Sequence, residues 1–277
     1  LRIQCNQPIY ISIIYIRMKG TIMESIVQAK RVLEIFKEMS QIPRESGNEK
    51  GISDYIVNFA KNLGLEVHQD DQYNVVIKKP ASPGYENRPS IILQGHIDMV
   101  CVRDHDSNHD FTKDPIANII EGEWMHADHT TLGADNGMGG AMMLAILEDD
   151  NQQHGPMQLL FTTNEETGMD GAFAIKEGQV SGDYLLNLDT EIEHDFTVSC
   201  AGGCHVHVNI PLLRENNQPG YDAGLSLTVT GLKGGHSGIE ICEQRTNANQ
   251  VLTRVLYDIQ QQYPVCLASF EGGVKHN

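Results

Sequence analysis

One histidine and three acids stand where predicted strands end or a predicted helix begins: His96, Asp135, Glu166 and Asp189. Taken singly, a strand-end acid is usually a turn residue or a helix cap. Four such side chains at one edge of a sheet are harder to explain in that way. Nitrogen and oxygen donors without a thiolate suit Zn²⁺, with Mn²⁺ or Co²⁺ as alternatives. The set therefore predicts a metal centre.

Asp135 lies in the glycine-rich stretch TLGADNGMGGAMM, just before a helix-like run. Such a turn commonly cradles phosphate with backbone N–H groups, but no P-loop lysine follows, and a carboxylate would repel phosphate. Asp135 therefore either caps the helix or holds a cation. If it holds a cation, its central place on a tight turn makes it the natural bridge between two metals about 3.5–4 Å apart.

Asp98 and Glu165 are the expected helpers of these ligands. A metal-bound histidine usually donates its second N–H to a carboxylate, and Asp98 comes two residues after His96, although it could instead cap a turn. Glu165 and Glu166 are neighbours on a segment expected to be extended, so they should point apart. One can then bind metal while the other acts as a general base on water.

Three apolar runs without alternation end at or near His96, Glu166 and Asp189: SIILQGHID, MQLLFTTNEE and DYLLNLDTE. Such runs predict strands buried on both faces of an α/β sheet, with ligands gathering beyond their carboxyl ends. Apolar spacing predicts helices over about 25–39, 48–63 and 136–147, the last buried nearly all round. The segments LEVHQ and NVVIKK are predicted to add short strands.

The sequence divides into three predicted parts. Residues 1–22 are expected to be a non-native or upstream-translated extension, with an edge strand as the alternative, and residues 23–202 form the N-terminal part of the catalytic domain. Residues 203–277 alternate strand-like stretches with a helix over about 246–262, which indicates part of a separate α+β element. The overall fold class is α/β with a mixed or parallel sheet flanked by helices.

The formal charge of −17 and the pI near 5.0 argue against nucleic acid and anionic membranes as partners. No stretch approaches the length of a membrane span. Six scattered cysteines favour reduced thiols and a cytoplasmic protein. Alternation in CHVHVNI favours a strand over a zinc knuckle made from Cys200, Cys204 and the histidines that follow. Four other histidines are expected to be solvated loop residues: His105, His109, His126 and His129.

The motifs GHIDMV, TTLGADNGMGG, NEETGMDGAF, NLDTE, CAGGC and GLKGGHSG, with DFTKDPI, resemble the aminoacyl-histidine dipeptidases. These enzymes are also called beta-alanyl-histidine or cytosolic non-specific dipeptidases, and they belong to the co-catalytic zinc peptidase clan. The likeness runs from about Met23 to Gly273, with the motifs in family order. It implies a zinc exopeptidase-like catalytic domain and part of a lid or dimerisation domain.

The resemblance also implies a role for each matching residue. His96 and Asp189 would hold one zinc, Glu166 would hold the other, and Asp135 would bridge them. Glu165 would be the general base and Asp98 the orienting acid. The family also implies a cis peptide bond between Asp135 and Asn136.

His236, in GGHSG, matches a lid histidine that helps to bind substrate, often from the partner subunit of a homodimer. From the sequence alone, a solvent-exposed turn histidine is the simpler interpretation. The expected activity is zinc-dependent hydrolysis of unblocked dipeptides, including Xaa-His dipeptides, without a covalent intermediate.

Family members run well beyond this chain, and their later segment supplies a final histidine ligand that nothing here matches. The sequence is therefore expected to be a C-terminally truncated member. The alternatives are a catalytically impaired metal-binding fragment or pseudoenzyme, and an aminoacylase or tripeptidase of the same clan. A phosphate- or nucleotide-binding module is the least favoured, because of Asp135 and the absent P-loop lysine.

Overall fold

The structure is a computed structural model. It describes residues 22–104, 106–122 and 124–190, and then 196–200, 202, 206, 208–214, 220–221, 223–234 and 242–273. The described residues up to 190 form one compact unit, and those from Phe196 onward form another. Residues 1–21, within the predicted extension, lie outside the described part.

The first unit is built on a five-stranded mixed sheet. In the described residues the strands are β1 (Glu66–Gln69), β2 (Val75–Lys79), β3 (Ile91–His96), β4 (Asn118–Glu121), β5 (Trp124–Ala127), β6 (Met157–Thr162) and β7 (Tyr184–Asn187). The sheet order is β1-β2-β6-β3-β7, while β4 and β5 form a separate hairpin. Strands β6, β3 and β7 are parallel, and β1 and β2 join antiparallel at one side.

Five helices belong to the first unit: α1 (Ile22–Met39), α2 (Lys50–Asn62), α3 (Ala134–Glu148), α4 (Glu165–Gly168) and α5 (Asp170–Ala174). Helices α1 and α3 pack together, and α3 also lies against β3. Phe36, Met143 and Phe161 are fully buried in the resulting core. Each such side chain contributes roughly 1.5–3 kcal/mol through its burial. The predicted α/β class with a mixed sheet and flanking helices is confirmed.

Strand β7 departs from its predicted surroundings. Its apolar run predicts burial on both faces, as β3 and β6 largely show, but all four residues of β7 are exposed. β7 is also the last strand of the described sheet and is paired on one side only, with β3. A continuous apolar run gives no information about whether its strand lies at the edge or in the centre.

The β4–β5 hairpin was not predicted. It places His126 on a strand instead of in the expected loop. Both strands have four residues, too short for a clear alternation, and Gly122, with φ of +63°, lies in the turn between them. A glycine between two short β-branched or aromatic runs is the sequence signal for such a hairpin.

The second unit contains α6 (Ala248–Gln262), as its apolar spacing predicts. The Asn247 side chain caps this helix by accepting a hydrogen bond from the Gln250 N–H at 3.1 Å. The strands predicted on either side are not formed in the residues described there. Alternation makes a segment able to form a strand, but a strand exists only when another pairs with it. Val208, Ile210 and Leu212 are instead exposed.

No helix in the described part of the chain is both long enough and apolar enough to cross a bilayer.

Candidate metal centre

The predicted site residues of the first unit meet beyond the carboxyl ends of β3, β6 and β7. His96 is the last residue of β3, Asp135 is near the start of α3, and Asp189 comes two residues after β7. Glu165 and Glu166 follow β6. They are not on the extended segment that the sequence predicts, because Asn164, with φ of 55°, turns the chain and both glutamates begin α4.

His96 is the centre of the cluster and is only 1% exposed. His96, Asp135 and Glu166 each offer one ligand atom, and these atoms all lie within 4.8 Å of one another. The His96 Nε2 atom is 3.0 Å from Asp135 Oδ1 and 3.8 Å from Asp189 Oδ2. Glu165 Oε2 lies 3.9 Å from the same nitrogen. One imidazole and four carboxylates therefore surround one small volume.

Asp98 is fully buried and its carboxylate is held from four directions. Oδ1 lies 3.1 Å from His96 Nδ1 and accepts the backbone N–H of Glu165 at 3.0 Å. Oδ2 accepts the Ser46 hydroxyl at 2.7 Å and the backbone N–H of Glu166 at 3.2 Å. Asp98 thus orients the imidazole and fixes the start of α4 at the same time, as expected of a residue that supports metal ligands.

The turn that carries Asp135 is tied to Asp189. The Asp135–Asn136 peptide bond is cis, as the resemblance implies. The Asn136 side-chain amide donates to the Leu188 carbonyl at 2.7 Å and to Asp189 Oδ1 at 3.1 Å. Gly139 permits this close approach, because a Cβ atom there would lie only 2.7 Å from the Leu188 carbonyl oxygen.

The electrostatics of the cluster fit a divalent cation. Burial and the neighbouring charge of Asp135 raise the pKa of Glu166 to about 7. Burial likewise raises the pKa of Asp189 to about 6, with Asp135 and Glu165 adding to the effect. Burial lowers the pKa of His96, but hydrogen bonds with Asp135 and Asp98 outweigh burial and raise it to about 11. A cation among these groups would take the place of their protons, so the donor set fits a metal.

Sequence reasoning missed three side chains that contact this cluster or the residue just before its glutamates: Arg44, Ser46 and Glu49. Arg44 is 2% exposed, and although burial lowers its pKa to about 10, it keeps its charge at neutral pH. Its charge faces Asp98, Asp135 and Glu166. In the sequence these residues form the polar run RESGNE between two amphipathic helices. Such a run is typical of an ordinary loop and does not indicate contact with a metal centre.

The other histidines differ in what they contact. His129 Nδ1 lies 2.7 Å from Asp104 Oδ2, and His126 Nδ1 lies 3.1 Å from the Ala127 carbonyl oxygen. His109 packs edge-on against Phe111. His105 and His236 fall outside the described residues.

Comparisons with known proteins match this sequence and this fold to peptidases. The model of the family described as Peptidase family M20/M25/M40 matches residues 92–268. The chain is 45% identical over 244 residues to the cytosol non-specific dipeptidase of Escherichia coli, covering 88% of this chain and 50% of that protein.

Solved structures give the same result. An aminoacylhistidine dipeptidase from Vibrio alginolyticus is 38% identical, with a TM-score of 0.58 over 83% of this chain and 47% of that chain. A tripeptidase from Staphylococcus aureus is 26% identical, with a TM-score of 0.50 over 58% of this chain and 43% of that chain. This chain spans about half the length of the relatives it matches. It belongs to Peptidase family M20/M25/M40, a family of metal-dependent peptidases.

Proposed function

We propose that this protein hydrolyses short unblocked dipeptides, including Xaa-His dipeptides, in a zinc-dependent reaction. The observation that carries the proposal is the cluster of carboxylates around His96, in which Glu165 is close to the centre without being part of the His96–Asp135–Glu166 ligand group. The similarity to a non-specific dipeptidase and to an aminoacylhistidine dipeptidase supports the substrate class.

In this proposal His96 and Asp189 would hold one zinc, Glu166 would hold the other, and Asp135 would be shared between them, with Mn²⁺ and Co²⁺ as alternatives. Bound metal would supply a Lewis acid that polarises the scissile carbonyl and makes water more acidic. The Glu165 carboxylate takes a proton from the attacking water and returns it to the leaving amine. Asp98 holds the His96 ring with its Nε2 atom toward the centre.

His236 would bind the substrate carboxylate or the tetrahedral intermediate, and the protein would act as a homodimer joined through the lid or dimerisation domain. A cytoplasmic location fits the substrate class, and nucleic acid and membranes are not proposed as partners. These roles are proposed for a whole protein of which this chain is compared over about half the length of its relatives.

Metal counting and dipeptide hydrolysis together test the proposal. Purified chain would be stripped with a chelator, dialysed, supplied with Zn²⁺ and analysed by mass spectrometry for ions per chain. The same sample would be given β-alanyl-histidine, with its N-acetylated form as the matched control. We expect cleavage of the free dipeptide only, and loss of cleavage after chelation.

Equal cleavage of the blocked dipeptide would favour an aminoacylase-type activity. Metal bound tightly without any hydrolysis would favour the alternative, a metal-binding protein that is not a catalyst. Failure to bind metal at all would contradict the proposal.

A further inference from the structure

The loop of residues 44–49 is the second part of the connection between α1 and α2, and it contacts three of the segments that carry metal-centre residues. We propose that this loop is the positioning element of the metal centre, and that Arg44 fixes the spacing between Asp98 and Asp135. The inference rests on the proposed metal centre, and it assigns roles to residues outside the ligand set.

Arg44 joins the two backbone segments on which these acids lie. Its Nη1 atom donates to the carbonyl oxygens of Ile97 at 3.1 Å and Asp98 at 3.0 Å. Its Nη2 atom donates to the carbonyl oxygen of Gly133, two residues before Asp135. A guanidinium is planar, so its donors point in fixed directions and set the relative position of the groups that they bind.

The glycines around Asp135 leave room for this guanidinium. A Cβ atom at Gly137 would lie 2.6 Å from Arg44 Nη2, and one at Gly133 would lie 2.5 Å from the same atom. Gly133 also has φ of +71°, which disfavours other residues. Two glycines of the stretch GADNG are therefore accounted for by Arg44 as well as by the turn itself.

Ser46 extends the same support to both glutamates. Its hydroxyl donates to Asp98 Oδ2 at 2.7 Å, and Asp98 in turn accepts the backbone N–H groups of Glu165 and Glu166. Its neighbour Glu45 forms a parallel bridge with Met99, so the loop runs beside the segment that follows β3.

Glu49 holds the third segment directly. It is 4% exposed, and its Oε1 atom accepts the backbone N–H of Asn164 at 3.0 Å. Asn164 is the residue with φ of 55° that turns the chain from β6 into α4. The loop thus fixes the point from which Glu165 and Glu166 begin.

These contacts let the loop hold the acids in position in the metal-free protein. Carboxylates this close repel one another, and only anchored backbone keeps them in the geometry that a cation needs. Outer partners of metal ligands typically contribute 10–100-fold to metal affinity. Arg44 therefore supports the metal centre by spacing its ligands, without binding the metal.

Cobalt titration of the stripped chain tests this role without any assay of catalysis. The visible absorption of bound Co²⁺ reports its coordination geometry, and the titration gives its affinity. We expect Arg44→Met and Arg44→Lys each to weaken Co²⁺ binding by about 10–100-fold and to change the spectrum. Lysine should not restore binding, because its donors all leave one nitrogen on a shorter side chain, whereas Arg44 binds Ile97 and Asp98 through Nη1 and Gly133 through Nη2.

Lys79→Met is the matched control. Lys79 is also buried, at 7% exposed, and its Nζ atom donates to three carbonyl oxygens, those of Ile146, Leu147 and Asp149. These lie at the opposite end of α3, about 20 Å from Asp135 along the helix. The control should lower the free energy of unfolding but leave Co²⁺ affinity and the spectrum unchanged.

Two results would overturn the inference by itself: Arg44 variants that bind Co²⁺ like the wild type, or full rescue by lysine. A wild-type chain that binds no Co²⁺ would overturn the proposed metal centre and this inference with it. If an Arg44 variant does not fold, Ser46→Ala provides the test, since it removes one hydroxyl from a half-buried position. We expect this variant to keep the wild-type far-ultraviolet circular dichroism and to show an altered Co²⁺ spectrum; an unaltered spectrum would contradict the role of the loop.

Discussion

At the residue scale, Glu165 and Glu166 are adjacent acids with different surroundings. Glu166 belongs to the group of ligand atoms within 4.8 Å of one another, whereas Glu165 approaches His96 at 3.9 Å from outside that group. Both backbone N–H groups bind the same carboxylate, that of Asp98. The two side chains therefore start from one anchored point but differ in their relation to the ligand group, which permits two roles.

Replacing each of these glutamates by glutamine separates the roles. Glu165→Gln should lower the rate of dipeptide hydrolysis by about 10²–10⁴-fold, because the amide cannot take a proton from water. It should leave the number of bound metal ions unchanged. Glu166→Gln, its isosteric neighbour, should lose metal. The measurements are initial rates with β-alanyl-histidine and metal counts by mass spectrometry; equal loss of metal in both variants would disprove the general-base role.

Asp135 is the expected bridge, so its removal should affect both metals. Asp135→Ala removes the carboxylate whose Oδ1 lies 3.0 Å from His96 Nε2. We expect neither metal to be retained after dialysis, since each would lose a charged ligand. The check is the number of ions per chain compared with the wild type. Retention of either ion at full affinity would contradict bridging.

At the element scale, helix α3 is anchored at both ends by a buried cation. Arg44 binds the Gly133 carbonyl just before the helix, and Lys79 binds three carbonyls at its C-terminal end. Carbonyl groups at a helix C-terminus have no partner within the helix and carry partial negative charge. Arg44 is the buried cation at the end of the helix that carries Asp135, whereas Lys79 holds the opposite end, away from the metal centre.

Two glycines of α3 give a matched test of this arrangement. Alanine is favoured over glycine within a helix by about 1 kcal/mol, so each substitution gains propensity. At Gly140 the new Cβ would meet Met39 Cε at 3.1 Å, a flexible side-chain end that can shift. At Gly137 it would meet Arg44 Nη2 at 2.6 Å and Phe36 Cε2 at 2.9 Å, two groups held by burial.

We therefore expect Gly137→Ala to weaken Co²⁺ binding by about tenfold or more, through displacement of Arg44. Gly140→Ala should keep wild-type binding. Titration of each stripped variant provides the comparison, with thermal unfolding as a check that both fold. Unchanged affinity in Gly137→Ala would show that the guanidinium can move without consequence for the metal centre.

At the scale of the whole molecule, an acidic chain contains a partly buried group of acids at the metal centre. The chain carries a formal charge of −17, and the metal centre adds burial to repulsion among its own acids. Cation binding relieves that repulsion, which couples the stability of the first unit to metal concentration.

This coupling predicts a pH dependence. The pKa of His96 is raised to about 11 and that of Glu166 to about 7, so at neutral pH His96 carries a proton and Glu166 carries one about half of the time. The pKa of Asp189 is raised to about 6, so this group takes up a proton only at lower pH. Metal must displace these protons, and affinity should rise with pH by about tenfold per unit for each proton displaced. Competition titrations with a chelating dye at several pH values measure the slope. An affinity that does not change with pH would contradict proton displacement.

Much of this molecule follows from local sequence. Most elements form close to where apolar spacing predicts them, because each is specified by its own apolar face or apolar run, which packs into the core. These elements are α1, α2, α3, α6, β1, β2, β3 and β6. The residues that gather at the carboxyl edge of the sheet were also predictable, since parallel strands end at the same side. Asp98 stood out for a similar reason, being two residues from a strand-end histidine.

Only the tertiary structure decides which strand is at the edge, which short runs pair as a hairpin, and what the 44–49 loop does. Strand β7 has the sequence of a buried strand but is exposed, because burial depends on neighbours far away in the chain. Arg44 is 53 residues from Ile97 and 89 from Gly133, and no local pattern links such positions. Spacing along the chain can therefore identify candidate ligands, whereas the residues that contact their backbone segments are brought there by contacts that only folding creates.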